Sequence, residues 1–286
     1  MLKVLIWQIS DDTIFKNKAI KILEQQHNGI EIVGEAVNEN IAKVDGEGQY
    51  DVLLVVGARQ IGMSKKSNMS KVTQEAKQFN LPEEKILGDW IVTIPGFVLK
   101  KYRQLQRSRL SIFSINCFGG LMYNTLGLPF YSPFINMFLS PAGYFSFLHE
   151  PRVYMEKQLS FKENDPRGFP IFTLGNMTIF FNHYLISNET DFDRRRKRIN
   201  WDNLFVEIYT EDEKVLQAFD LLPYAKKACF VPFKSDLNSA WYINPEINKN
   251  YPNFADKVNR FAMGDPFYYD IFDMLLYGKK TPLIDM

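Results

Sequence analysis

The sequence predicts an α/β fold made of two Rossmann-like three-layer domains, residues 1–105 and 106–286, the first built on a mostly parallel sheet. Three observations carry this expectation. At 286 residues the chain exceeds the usual size of one domain. Its first hundred residues alternate strand-like and helix-like patterns, which is how a parallel sheet with crossover helices is written. After a basic stretch around residues 100–108 the alternation resumes.

In the first half, Lys3-Val-Leu-Ile-Trp7 is a short apolar run, as a buried parallel strand requires. Phe15, Ala19, Ile22 and Leu23 recur at helical spacing. Ile30-Glu-Ile-Val33 and Asp51-Val-Leu-Leu-Val-Val56 are the next strands, followed by a helix over residues 72–79 and another edge at 81–86. The loop after the first strand, Gln8-Ile9-Ser10-Asp11-Asp12, contains no glycine. A dinucleotide needs glycines there so that the backbone can approach its pyrophosphate, and two carboxylates repel it. NAD and NADP are therefore not expected, and Ser10 or Asp11 reads as a helix cap. The loop Gly57-Ala-Arg59-Gln-Ile-Gly62-Met-Ser64-Lys65-Lys66 follows the third strand but lacks the ending of a P-loop. It reads either as a ligand loop or as a solvated one.

The second half opens on the strand Leu110-Ser-Ile-Phe-Ser-Ile115. Helices are expected over 133–138, 144–158 and 211–219, and strands over 178–181, 204–209 and 229–231.

Composition narrows the function. Lys plus Arg number 34 against 33 Asp plus Glu, a net charge of +1, without the basic excess that gripping nucleic acid demands. No apolar run reaches the roughly 18 residues of a membrane span. The N-terminal apolar run is too short for a signal peptide. With only Cys117 and Cys229 there is no disulfide framework, which suits a reducing, cytoplasmic setting. No Cys/His cluster suggests structural zinc. Aromatic residues reach 15%, and such rings fill cores or stack on sugars. The oligomeric state is left open.

Four stretches hold residues suited to chemistry. In Ser114-Ile-Asn116-Cys117-Phe118-Gly119-Gly120 a strand runs into a glycine turn at a helix start. A thiol there is stabilised as thiolate by the helix dipole, and the turn amides of Gly119 and Gly120, with Asn116, form an anion nest. Cys117 is then either a nucleophile or a small buried residue. In Gly127-Leu-Pro129-Phe130-Tyr131-Ser132-Pro133-Phe134-Ile135-Asn136, Ser132 and Pro133 suit a helix start, while Tyr131, Ser132 and Asn136 are candidate ligand contacts. In Phe180-Phe181-Asn182-His183-Tyr184, strand alternation places Phe181 and His183 on one face and Asn182 and Tyr184 on the other. His183 is a candidate base at a strand end and Tyr184 a candidate ligand contact. Finally, Asp191 through Asn203 carries five consecutive cations, Arg194 to Arg198. At about 100° per residue they circle the helix, so at least one arginine must face protein or ligand. Arg194, Arg195 and Arg198 are candidate phosphate ligands, and Asn200, Asp202 and Asn203 join them.

Together these stretches resemble the bacterial domain-of-unknown-function family nineteen-nineteen, with Phe219-Asp220-Leu-Leu-Pro223 fitting as well. The resemblance covers residues 108–242 or so, leaves the first hundred outside, and brings no assigned reaction. Members carry the label of exopolysaccharide biosynthesis proteins, which implies work on sugar polymers or their activated precursors. The first expectation is accordingly a transferase for an activated sugar or an acyl group, taking a small-molecule or oligosaccharide ligand such as a nucleotide sugar and needing no redox cofactor. In it the arginines hold phosphate, Asn116 and the glycine turn add donors, and His183 is the base. Two alternatives stand beside it: a non-catalytic sugar-phosphate-binding or assembly module, and a Cys–His thiol hydrolase using Cys117 and His183.

Overall fold

The computed structural model describes residues 1–8, 16–17, 20–21, 23–24, 28–37, 52–56, 86–88, 99–126, 128–184, 189–246, 251, 253–264 and 267–283. Of the sequence expectations, the loops at 9–12 and 57–66 and the helix at 72–79 lie outside these residues. The chain divides into two compact units, Met1–Tyr102 with Asn124–Leu128, and Arg103–Tyr123 with Pro129–Met286.

In the first unit, strands β1 (Leu2–Gln8), β2 (Ile30–Val37), β3 (Val52–Val56) and β4 (Ile86–Gly88) form one sheet in the order β2-β1-β3-β4. Every pairing is parallel. The apolar runs are its core: Val4, Leu5, Ile6, Ala36 and Leu54 are buried, as is Leu23 of a helical segment.

Helix α1 (Leu99–Ser108) occupies the basic stretch read as the seam. The second unit then alternates β5 (Ser111–Ser114), α2 (Phe118–Leu126), β6 (Phe138–Leu139), α3 (Pro141–His149) and α4 (Pro151–Glu156). After these come β7 (Leu159–Asn164), β8 (Pro170–Leu174), β9 (Met177–Phe180) and α5 (Glu189–Arg196). The chain ends with β10 (Leu204–Tyr209), α6 (Glu213–Asp220), β11 (Lys227–Val231), β12 (Ala240–Tyr242), α7 (Phe254–Met263) and α8 (Ile271–Tyr277).

Two sheets result. β12-β11-β10-β5 is wholly parallel, as the strand–helix reading expects. Residues 159–180 depart from it: β6-β9-β8-β7 is a separate antiparallel sheet inserted between β5 and β10. The strand expected at 178–181 is β9 of this insert and not part of the parallel sheet. Two further expectations are corrected. Residues 133–137 form an irregular segment in place of a helix. The helix expected over 144–158 is two helices, because Pro151 has no amide to continue the first and forces Glu150 off helical geometry, at φ −138°.

The faces of the parallel sheet are set by side-chain alternation. Ile112, Phe205 and Phe230 face α2 and α7: a Cβ on Gly119 of α2 would lie 3.2 Å from Ile112, and the Phe118 ring centroid is 5.3 Å from that of Phe230, itself 5.4 Å from Phe261. Phe113, Ile115, Val206, Ile208 and Val231 enter the opposite core, which they share with Phe147 of α3 and with Phe172 and Phe181 of the insert. Much of the aromatic excess is spent here, since Phe113, Phe134, Phe147, Phe172, Phe181 and Phe192 are all fully buried. Each such ring contributes about 1.5–3 kcal/mol by leaving water. No helix among the described residues is long and apolar enough to cross a membrane.

Candidate functional site

The site begins where β5 ends. Ser114 Oγ accepts from the Gly119 amide at 3.0 Å and donates to Asn116 O at 3.0 Å. Asn116 Oδ1 accepts from the Phe118 amide at 2.9 Å, and Cys117 O accepts from Leu121 N at 2.9 Å. These bonds satisfy the orphan amides that open α2 and fix Cys117 at its N-terminus.

The glycines serve packing. A Cβ on Gly120 would stand 3.0 Å from Asn136 N, so only glycine lets α2 approach that segment closely. The Gly119 amide is engaged by Ser114 and is not a free donor. Asn136 adopts left-handed backbone at φ +54°, a conformation asparagine tolerates better than most residues.

His183 arrives from the insert. β9 stops at Phe180, and the chain turns through residues 181–184, with Tyr184 N donating to Phe181 O at 2.9 Å. The turn breaks the expected alternation: Phe181 is buried while His183 is exposed. It also brings His183 Nε2 to 3.3 Å from Cys117 Sγ, across 66 positions of chain. Burial pushes the Cys117 thiol up to about 11. Burial, and then the Arg167 charge, hold His183 below its ordinary value. Near neutral pH the two are therefore a neutral thiol and a neutral imidazole. In that state Sγ–H can donate to Nε2, provided the ring proton sits on Nδ1.

Two buried polar groups flank the turn. Asn116 Nδ2 has no hydrogen-bond partner among the described residues, and neither carboxyl oxygen of Glu207 has one. Glu207 lies opposite Ser114 in the parallel register and is fully buried. Burial drives its carboxyl well above the ordinary range, and the Ile115 amide, which does not meet it in hydrogen-bond geometry, lowers it only weakly.

Most of the remaining candidates make contacts within the fold. Arg195, 7% exposed, donates to Asp191 Oδ2 at 3.2 Å and to Tyr184 Oη at 3.4 Å, and lies over the Phe130 ring. Tyr184 Oη donates in turn to Ile135 O at 2.7 Å. Arg194 pairs with Asp191 at 2.7 Å, and Arg198 is exposed. The inference that an arginine must face protein holds twice, since Arg196 donates to Met155 O and Lys157 O at 3.2 and 2.7 Å. Their partners are a carboxylate, a tyrosine and carbonyls. Ser132 Oγ is fully buried and accepts from Phe134 N at 3.3 Å, and Tyr131 lies under Arg109.

Asn200, Asp202 and Asn203 lie away from Cys117. Asn200 N donates to Ser111 Oγ, and the side-chain amides of Asn200 and Asn203 donate to Ser108 O at 3.2 and 2.8 Å. Asp202 N caps onto Asn200 Oδ1. This latch closes the amino end of the parallel sheet, the end opposite the thiol. Lys226 Nζ bonds Asn203 Oδ1 there, and burial lowers it to about 8.

One residue beside the pair escapes a reading by motif. Arg167 sits on the β7–β8 hairpin, where Asp165 O accepts from Gly168 N at 2.8 Å and Gly168 takes φ +89°. The signal was present in Asp165-Pro-Arg-Gly168, a turn sequence with proline second and glycine fourth.

Fold and site define an α/β protein in which a helix-start thiol meets an imidazole carried by an antiparallel insert. The chain belongs to the family described as Domain of unknown function (DUF1919), whose pattern matches residues 91–277. It is similar to an "Uncharacterized protein" of Haemophilus influenzae, 31% identical over 178 residues, covering 60% of this chain and 84% of that relative.

Proposed function

We propose that this protein is an acyl-transfer enzyme in which Cys117 is the nucleophile and His183 the base. The observation that carries the reading is the 3.3 Å separation of Sγ and Nε2. A neutral pair suits general-base attack: as Sγ bonds to the acyl carbon, its proton passes to Nε2. The leaving group takes that proton and departs, leaving a thioester on Cys117. An acceptor hydroxyl then gives its proton to Nε2 and attacks the thioester carbon, and the released sulfur recovers the proton. Asn116 Nδ2, buried without a partner one residue before the thiol, is the donor best placed by the sequence to meet the carbonyl oxygen. Such chemistry requires no redox cofactor. The exopolysaccharide role that the sequence resemblance implies favours a sugar hydroxyl as acceptor, which makes the protein a transferase; water as acceptor makes it a thiol hydrolase. Of the candidate phosphate ligands Arg195 is engaged within the fold and Arg194 is paired with Asp191, so a phosphate-gripping glycosyl transfer has less support.

The burial that raises the Cys117 thiol to about 11 favours one rival, a non-catalytic module with a structural thiol. An activated ester separates the two. Incubation with p-nitrophenyl acetate is expected to release nitrophenol and leave one acetyl group on the peptide containing Cys117. Cys117→Ser and His183→Ala should each remove it. Wild-type protein that never carries acetyl on Cys117 refutes the enzyme reading.

A further inference from the structure

Arg167 is held next to the His183 turn by contacts that leave part of it unused. Its Nε and one terminal nitrogen donate to Asp165 Oδ2 at 2.9 and 2.7 Å. The same terminal nitrogen reaches Asn182 Oδ1, the residue next to His183, at 3.3 Å. The guanidinium also lies 5.2 Å over the Phe169 ring. The anchoring carboxylate is itself fully committed: besides the guanidinium, Asp165 Oδ1 accepts the amides of Arg167 and Phe169 at 2.8 and 3.0 Å. Asp165 is only 11% exposed, whereas the Arg167 side chain is 65% exposed. No hydrogen bond or ion pair to the second terminal nitrogen, Nη1, is found among the described residues. A fixed fork with an unspent edge in solvent is what a carboxylate or phosphate binds.

The cation is felt at the histidine. It is the charge that, after burial, depresses His183. An anion seated on Arg167 therefore lies within Coulomb reach of the imidazole, whose Nε2 stands 3.3 Å from Sγ.

We propose that Arg167 is a specificity-determining residue that selects, for reaction at Cys117, molecules carrying a carboxylate or phosphate close to the reacting carbon. This deepens the acyl-transfer reading, because it names the class of donor: an acyl compound with an anionic group near its carbonyl. Arg167 acts by binding and takes no part in the proton transfers.

Two alkylating reagents of nearly the same size test it without knowledge of the substrate. Iodoacetate carries a carboxylate and iodoacetamide does not. Both displace iodide with the Cys117 thiolate, so their rate ratio cancels any change in thiol ionisation. Rates are read at Cys117 by peptide mass spectrometry. The iodoacetate-to-iodoacetamide ratio is expected to fall about two- to fivefold in Arg167→Gln, the range of an exposed charge pair. Arg167→Lys is expected to retain most of the ratio, and high salt to lower it in the wild-type protein. Protection of Cys117 against iodoacetamide by inorganic phosphate, in preference to acetate, marks a phosphate group; the reverse marks a carboxylate. A ratio that neither Arg167→Gln nor salt changes overturns the proposal. Should Arg167→Gln not fold, the salt dependence and Arg167→Lys still decide it. Loss of acyl transfer with the ratio effect intact refutes the enzyme reading alone.

Discussion

His183 Nε2 stands 3.3 Å from Cys117 Sγ, although the two residues leave different sheets. Cys117 follows β5 of the parallel sheet, and His183 follows β9 of the antiparallel insert. The pair therefore depends on how the insert packs against the sheet, through the core shared by Phe113, Phe172 and Phe181. It also depends on protonation. With the thiol raised to about 11 and the imidazole lowered, the resting pair is neutral across the middle of the pH range.

That state fixes a pH profile. Alkylation of Cys117 by iodoacetamide should be slow at pH 7 and climb about tenfold per pH unit toward about 11, because the thiolate is the attacking species. Since the folded His183 pKa lies below the unfolded value, the histidine also costs stability once pH falls below about 6.5, where the unfolded chain takes up the proton first. A rate plateau below pH 7 would reveal a thiolate–imidazolium pair and contradict the neutral one.

Gly120 tests how closely α2 must approach its neighbour. Gly120→Ala places a Cβ 3.0 Å from Asn136 N, so α2 or the Asn136 segment must shift. Overpacking of this kind should cost about 1–3 kcal/mol in urea unfolding. Because Cys117 opens the same helix, its alkylation rate should change in the same variant. Unchanged stability would mean that the Asn136 segment yields.

The arginines divide by burial. Arg195→Ala removes a buried guanidinium from Asp191 and Tyr184 and should destabilise by about 1–3 kcal/mol. Arg194, whose side chain is 58% exposed, should change stability by no more than about 0.5 kcal/mol when replaced by alanine. Chemical denaturation of both variants decides the matter. Equal effects would mean that α5 does not pack as described.

How much of this was legible in the residues follows from what each signal depends on. Cys117, Asn116 and His183 stood out because strand ends and helix starts leave local marks. The insert was missed because β7 is exposed along most of its length and shows no clean period of two. β8 is instead nearly all buried, so it does not alternate either. Its two turns, Asp165-Pro-Arg-Gly168 and Gly175-Asn176, were the readable clue. Asn200 and Asn203 were read as ligand contacts because polarity in sequence does not say which end of a sheet it reaches. Whether a half-buried donor has found a carbonyl, as both have at Ser108 O, depends on pairing about ninety positions apart.

Glu207 gives the last prediction. Its carboxyl is fully buried beneath the start of α2, opposite Ser114, with no hydrogen-bond partner among the described residues. Burial raises its pKa well above the ordinary value. Above that ordinary value the unfolded chain releases the proton while the folded chain keeps it, so folding must take a proton up. Stability should then fall by about 1.4 kcal/mol per pH unit from about pH 4.5 until the folded pKa is reached. Glu207→Gln keeps the shape and removes the titration. The variant should gain most over wild type near pH 8 and least near pH 4, read as the difference in urea midpoints. A difference that stays constant with pH would show that Glu207 is ionised in the folded protein and paired after all.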